Sequence, residues 1–180
     1  FGRTMFPTAL NKDIPPFHHE IYKSLADSDK RRVLIAAPRG TAKSTVTSLI
    51  LPLHRIAFKA SAEDLFIVII SESQSQSINF LSRIKYHLDN SKQFKQMFGD
   101  YSATTAKRWT NNDIVLANGA RVIAVGTGQR VRGFIEGDTR PNLIIVDDYE
   151  SELNAATAEG RAKNRKWITE AVIPSLSDEG

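Results

Sequence analysis

Six consecutive apolar residues, Leu65–Ile70 (LFIVII), constrain this chain more than any other feature. A strand open to water on one face alternates apolar with polar side chains. An unbroken apolar run of this length therefore predicts a strand covered on both faces, as in a parallel sheet packed between helices. Two further runs have the same character. Val33–Ala37 lies between Lys30-Arg31-Arg32 and a Pro-Arg-Gly turn, and Leu143–Val146 (LIIV) ends in Asp147-Asp148. The first predicts a buried strand entering a loop. The second predicts a strand whose carboxylates emerge at its C-terminal edge, where ligands bind in α/β sheets.

Helical spacing fills the intervals. Phe17, Ile21 and Leu25 recur at four-residue steps after Pro15-Pro16 and predict a short amphipathic helix with that face inward. From Lys43, the apolar positions Val46, Leu49, Ile50, Leu53, Ile56 and Ala57 predict a helix that Pro52 kinks or restarts. Gln74–Asn90 follows LFIVII with Ile78, Leu81, Ile84 and Leu88 on one side and Ser73 or Ser75 as a cap. Asn118-Gly119 between Ile114–Ala117 and Arg121–Val125 predicts an antiparallel hairpin closed by a type I′ turn. Thr157–Ile173 predicts a last helix with Ala162, Ile168, Ala171 and Val172 inward, stopped before Pro174. Strands alternating with helices, without a repeat or a Gly/Ser linker, predict one α/β domain spanning 1–180.

Composition narrows the function classes. Among 180 residues, 24 Lys+Arg against 20 Asp+Glu give a net charge of +4, a mild prior for a polyanionic partner. With no cysteine there is no disulfide framework and no thiolate zinc site, which fits an intracellular protein. No apolar run approaches the roughly 20 residues needed to cross a bilayer, and the first residues lack a signal-peptide layout. No membrane is expected.

The segment most informative for chemistry is Ala37-Pro38-Arg39-Gly40-Thr41-Ala42-Lys43-Ser44. A phosphate chain needs backbone N–H groups aimed at it, the positive end of a helix behind them and a lysine to neutralise its outer oxygens. Lys43 and Ser44 stand where GxxxxGK-[ST] places the lysine and the Mg²⁺-binding hydroxyl, and Thr45 adds a further hydroxyl. Ala37 and Ala42 occupy the two glycine positions, which alanine can fill if the backbone there needs no positive φ. A Mg²⁺-nucleotide site also needs acids on a neighbouring strand. Asp147 is then the metal-side acid and Asp148 the water-side acid, with Glu150 competing. Arg130 and Arg132, in the Gly126–Gly133 segment, could stabilise a transferring phosphoryl group or contact a DNA backbone.

APRGTAKST, SESQSQS after the LFIVII strand, the WTNNDIVLANGARV hairpin with its GQRVRG tail, and RPNLIIVDDYES resemble, in that order, the large terminase subunit of tailed bacteriophages. The resemblance covers nearly the whole chain. It implies a RecA-like, additional-strand P-loop ATPase, a mostly parallel sheet flanked by helices with an antiparallel hairpin, that drives double-stranded DNA through the portal of an empty capsid. It implies that Pro38, Arg39, Gly40, Thr41, Ala42, Lys43, Ser44 and Thr45 bind ATP, that Ser44 and Asp147 hold Mg²⁺, and that Arg39 contacts the γ-phosphate. Arg132, or else Arg130, would be a finger reaching a neighbouring subunit. Asp148 stands where many relatives carry Glu, leaving Asp148 and Glu150 both open as the water-activating acid. The Pro16-Phe17-His18 region resembles the segment that packs on adenine, with a core phenylalanine at a helix start as the alternative for Phe17.

The implied partners are double-stranded DNA, the portal protein and the small terminase subunit, with a homo-oligomeric ring working in the host cytoplasm. The family's second, nuclease domain has no counterpart among these residues, so the resemblance implies an isolated motor domain. Two other readings compete: a helicase-like ATPase on single strands, and a nucleotide-binding scaffold with little hydrolysis. The exposed basic groups expected at Lys30–Arg32 and at Arg161, Lys163, Arg165 and Lys166 read as solvated surface or as a DNA contact. Trp109 and Trp167 read as packing residues, and the four histidines as surface or helix residues.

Overall fold

The computed structural model describes residues 1–7, 15–27, 29–58, 65–129, 139–150 and 155–177. Five strands form one mixed sheet: β1 (Phe66–Ser71), β2 (Arg108–Trp109), β3 (Asp113–Val115), β4 (Arg121–Gly126) and β5 (Leu143–Val146), in the order β2-β3-β4-β1-β5. Central β1 runs parallel to both β4 and β5, while β3 pairs antiparallel with β2 and β4.

The unbroken apolar run becomes this central strand because both faces of β1 are covered. Its alternate side chains enter two cores. Ile67 and Ile69, with Val122 and Ala124 of β4, pack beneath Leu49, Leu53, Ile56, Leu81, Ile84 and Leu88. Phe66, Val68 and Ile70, with Ile123 and Val125, face Val172, Trp167 and Ile168 on the other side. Full burial of such a side chain contributes about 1.5–3 kcal/mol, so these two layers hold the sheet and with it the strand ends that carry the candidate site.

The helices follow their local signals. α1 (Gly2–Met5) precedes α2 (Pro16–Ala26), which starts on Pro16, where a missing N–H costs nothing. α3 (Lys43–Thr45), a π-helical turn (Val46–Ile50) and α4 (Leu51–Phe58) make one helical run. The widened turn falls directly before Pro52, whose ring cannot donate to the preceding turn, so the expected disturbance takes the form of a π segment. α5 (Gln74–Asn90) begins at Ser73, whose Oγ accepts from Gln76 N, so of the two serines offered as a cap it is Ser73 and not Ser75. α6 (Lys92–Phe98) ends at Gly99, and α7 (Ala158–Trp167) is capped by Thr157 and continues through a π turn (Ile168–Val172) into a 3₁₀ turn (Ile173–Ser175).

Four expectations are corrected. Val33–Ala37 is not a strand; it has no ladder partner among the described residues, and Leu34 is 96% exposed. A strand requires a neighbour as well as apolar residues, and the edge of β5 faces this segment only across an open cleft of about 750 Å³. The hairpin forms, but Asn118 keeps a negative φ. Only Gly119 is left-handed (φ +90°), and its N–H bonds the Leu116 carbonyl, so the turn is not type I′. In the last helix Ala162 is exposed, and buried Asn164 and Val172 mark the inner side. In α2 the inward residues are His18 and Ile21, while Phe17 is 36% exposed and so is no core phenylalanine.

Candidate functional site

The C-terminal ends of β1, β4 and β5 finish side by side, and the loops that leave them are tied together. Asp147 N donates to Ile70 O, Glu72 N to Asp148 O, and Thr127 N to Ser71 O. Thr127 Oγ1 adds a bond to the Tyr149 carbonyl at 2.9 Å. Parallel pairing thus continues past the last apolar residue and fixes where the two aspartates stand.

The loop Ala37–Ala42 delivers the other half. Thr41 Oγ1 donates to Pro38 O at 2.8 Å, and Lys43 Nζ reaches the Ala37 carbonyl at 3.2 Å, closing the loop on itself. Gly40 and Ala42 both take left-handed backbone, φ +81° and +56°. The condition set for Ala42 is therefore not met: this position does need a positive φ, and alanine adopts it at a cost of about 1–2 kcal/mol. Ala42 is also the N-cap of the helical run and offers no side-chain cap. Among the described residues the N–H groups of Gly40, Ala42 and Lys43 donate to nothing, leaving open donors at the mouth of a helix.

The two halves meet at Asp147, 7% exposed. Ser44 Oγ donates to Asp147 Oδ1 at 3.2 Å, bridging 103 positions of chain, and Ser48 Oγ donates to Asp147 Oδ2 at 2.7 Å. Sequence reasoning placed Ser44 and Asp147 together and missed Ser48. The signal was there: Ser48 follows Ser44 by four residues on the same helical face.

The donor set suits Mg²⁺. Ser44 gives its proton to Asp147, so its lone pairs are free for a cation, and every ligand available here is an oxygen. Among the described residues no three His, Cys, Asp or Glu side chains gather into a cage.

The remaining residues distribute around this centre. Asp148 (φ +47°) is exposed, and its carboxylate has no partner among the described residues. Glu150 Oε1 accepts from Asn164 Nδ2 of α7 at 3.4 Å, so this acid is drawn toward the last helix. Both line the cleft with Lys43 and Asp147. Burial, then the neighbouring Glu150 carboxylate, raises the Tyr149 phenol above its ordinary pKa, which keeps it a neutral donor. Arg39 is exposed, and Pro38 contributes its carbonyl to the loop. Thr45 is half-buried within the helical run. Phe17 lies edge-on to His18, ring centroids 4.4 Å apart. Arg130 and Arg132 lie outside the described residues. Trp109 and Trp167 pack on the two cores as expected.

Of the two readings of the histidines, surface or helix, His18 takes the second, within α2. It is buried, and its Nε2 lies 2.6 Å from the Thr41 carbonyl inside the loop. Among the described residues no helix is long and apolar enough to cross a membrane. Compared with known proteins, the chain matches no family model and no curated sequence with significance.

Proposed function

We propose that this chain is a Mg²⁺-dependent ATPase of the RecA-like, additional-strand P-loop class. In this reading it is the motor domain of a phage terminase that moves double-stranded DNA through a portal into a procapsid, working as a ring in the host cytoplasm. One observation carries the reading. The helix that follows the loop and the acidic end of β5 converge, with Ser44 Oγ 3.2 Å from Asp147 Oδ1, beside a loop whose N–H groups are open to an anion.

The chemistry follows from that placement. The Gly40, Ala42 and Lys43 N–H groups, backed by the helix dipole, hold the β- and γ-phosphates, and the Lys43 ammonium leaves Ala37 O to neutralise them. Ser44 and Asp147 would hold Mg²⁺, which would supply charge compensation to the phosphate oxygens. Ser48 keeps the Asp147 carboxylate turned toward Ser44. Asp148, whose carboxylate is unengaged, accepts the proton of the attacking water as it adds in line to the γ-phosphorus, and ADP leaves from the opposite side. Phe17, exposed and edge-on to His18, offers an aromatic face or edge to the adenine. Arg39 reaches the γ-phosphate. The basic side chains Arg161, Lys163, Arg165 and Lys166 are exposed along α7 and suit sequence-blind contact with a DNA backbone.

Lys43→Ala is the test. ATP turnover should vanish, while near-normal turnover in that variant overturns the loop assignment. Single-turnover rates of Asp148→Ala and Glu150→Ala then identify the water-activating acid, with the larger loss expected at Asp148. Stimulation by duplex supports the packaging reading; stimulation by single strands alone supports a helicase instead.

A further inference from the structure

The nucleotide reading gives no role to the most deeply placed polar ring near the loop. His18 is 5% exposed, three residues into α2, and contacts a segment 23 positions away. Its partner is a carbonyl, which can only accept, so Nε2 carries the hydrogen. The other nitrogen, Nδ1, is buried without a partner among the described residues.

The carbonyl held is that of Thr41, which shares a peptide plane with the Ala42 N–H. The Thr41–Ala42 peptide is trans, so the two point in opposite directions. Holding Thr41 O toward α2 turns the Ala42 N–H outward, where it donates to nothing among the described residues. With the peptide in this orientation Ala42 is left-handed, a state that alanine does not choose by itself. The 2.6 Å bond to the buried ring opposes that preference, beside the Thr41 Oγ1–Pro38 O and Val46 N–Ala42 O bonds that also shape the loop.

We propose that His18 is a positioning residue for the phosphate loop. Its Nε2–H clamps the Thr41 carbonyl, holds Ala42 left-handed and so presents the Ala42 N–H to a polyphosphate ligand. This inference rests on the loop being a nucleotide site, and it adds a residue outside the loop that sets its affinity for phosphate.

The test uses nucleotide titration of the whole chain with ATP and with adenosine. His18→Leu should weaken ATP binding about tenfold, the scale of one buried hydrogen bond, with adenosine binding unchanged. His18→Gln, which offers an amide N–H at a similar reach, should recover most of the loss. Ala42→Gly in the His18→Leu background should also recover part of it, because glycine enters the left-handed region freely. A residue that only supports the fold would not be rescued by a backbone change in the loop. Equal ATP affinity in His18→Leu and unchanged protein overturns the clamp while leaving the nucleotide site intact. Absence of ATP binding in the unchanged protein overturns the site itself and the clamp with it. Should His18→Leu fail to fold, the imidazole ¹⁵N shifts of the unchanged protein decide: an Nε2–H tautomer supports the clamp and an Nδ1–H tautomer overturns it.

Discussion

Ser48 Oγ donates to Asp147 Oδ2 at 2.7 Å, one helical turn after Ser44 holds the other oxygen of the same carboxylate. Both oxygens of a buried acid are thus satisfied from one helix, and its orientation is set before any ligand arrives. Ser48→Ala would leave one oxygen buried without a donor, an expected loss of about 1–3 kcal/mol in denaturant unfolding. Ser48→Thr, which keeps the hydroxyl, should lose much less.

Ala42 supplies a test with the opposite sign. Ala42→Gly removes about 1–2 kcal/mol of left-handed strain and returns about 0.4–1 kcal/mol through the looser unfolded chain. Net stabilisation of about 0.5–1 kcal/mol is expected in the same unfolding measurement. A destabilised variant would mean that Ala42 is not left-handed in solution.

Gly126 ends β4 where the start of α5 crosses it. A Cβ added there would lie 2.7 Å from Gln74 N and 3.3 Å from the Ser73 carbonyl carbon, and backbone cannot move aside cheaply. Gly126→Ala should cost about 1–3 kcal/mol. It should also break the Gln129–Gln74 side-chain bond, now 3.1 Å, that joins the end of β4 to α5, a loss visible in the Gln129 side-chain amide resonances.

Stability should also depend on pH through two histidines. Burial first, and then Arg55, lowers the His54 pKa below 6.5; burial first, and then Arg83, lowers that of His87. The unfolded chain therefore takes up protons that the folded chain refuses. Stability should be full above about pH 6.5 and decline as pH falls below it, until the folded-state pKa values are passed. Melting temperatures of the His54→Gln, His87→Gln double variant should show a flatter slope across that window.

The sequence was most legible where a signal was local. LFIVII became β1, Ser73 capped α5, and LIIV followed by two aspartates put carboxylates at a strand end. The Ser44–Asp147 meeting was legible too, because loop chemistry and acid chemistry each implied the other. Val33–Ala37 was misread because pairing is a property of two segments, and one segment carries only its own half of that information. His18 was missed for a related reason: a helix position does not reveal which distant carbonyl it will face. The backbone at Ala42 stayed open in the sequence because alanine by itself says nothing of φ, which here is imposed by the fold.

The outer side of β5 has a consequence beyond the site. At the opposite end the sheet closes with β2, only two residues long, whereas β5 offers four residues of backbone with no neighbour among the described residues. Among the described residues, β5 is thus the longer of the two open rims. Any strand that docked there, from this molecule or another, would run alongside Val146 and finish against Asp147, so that lengthening the sheet and reshaping the carboxylate's surroundings would be a single mechanical act.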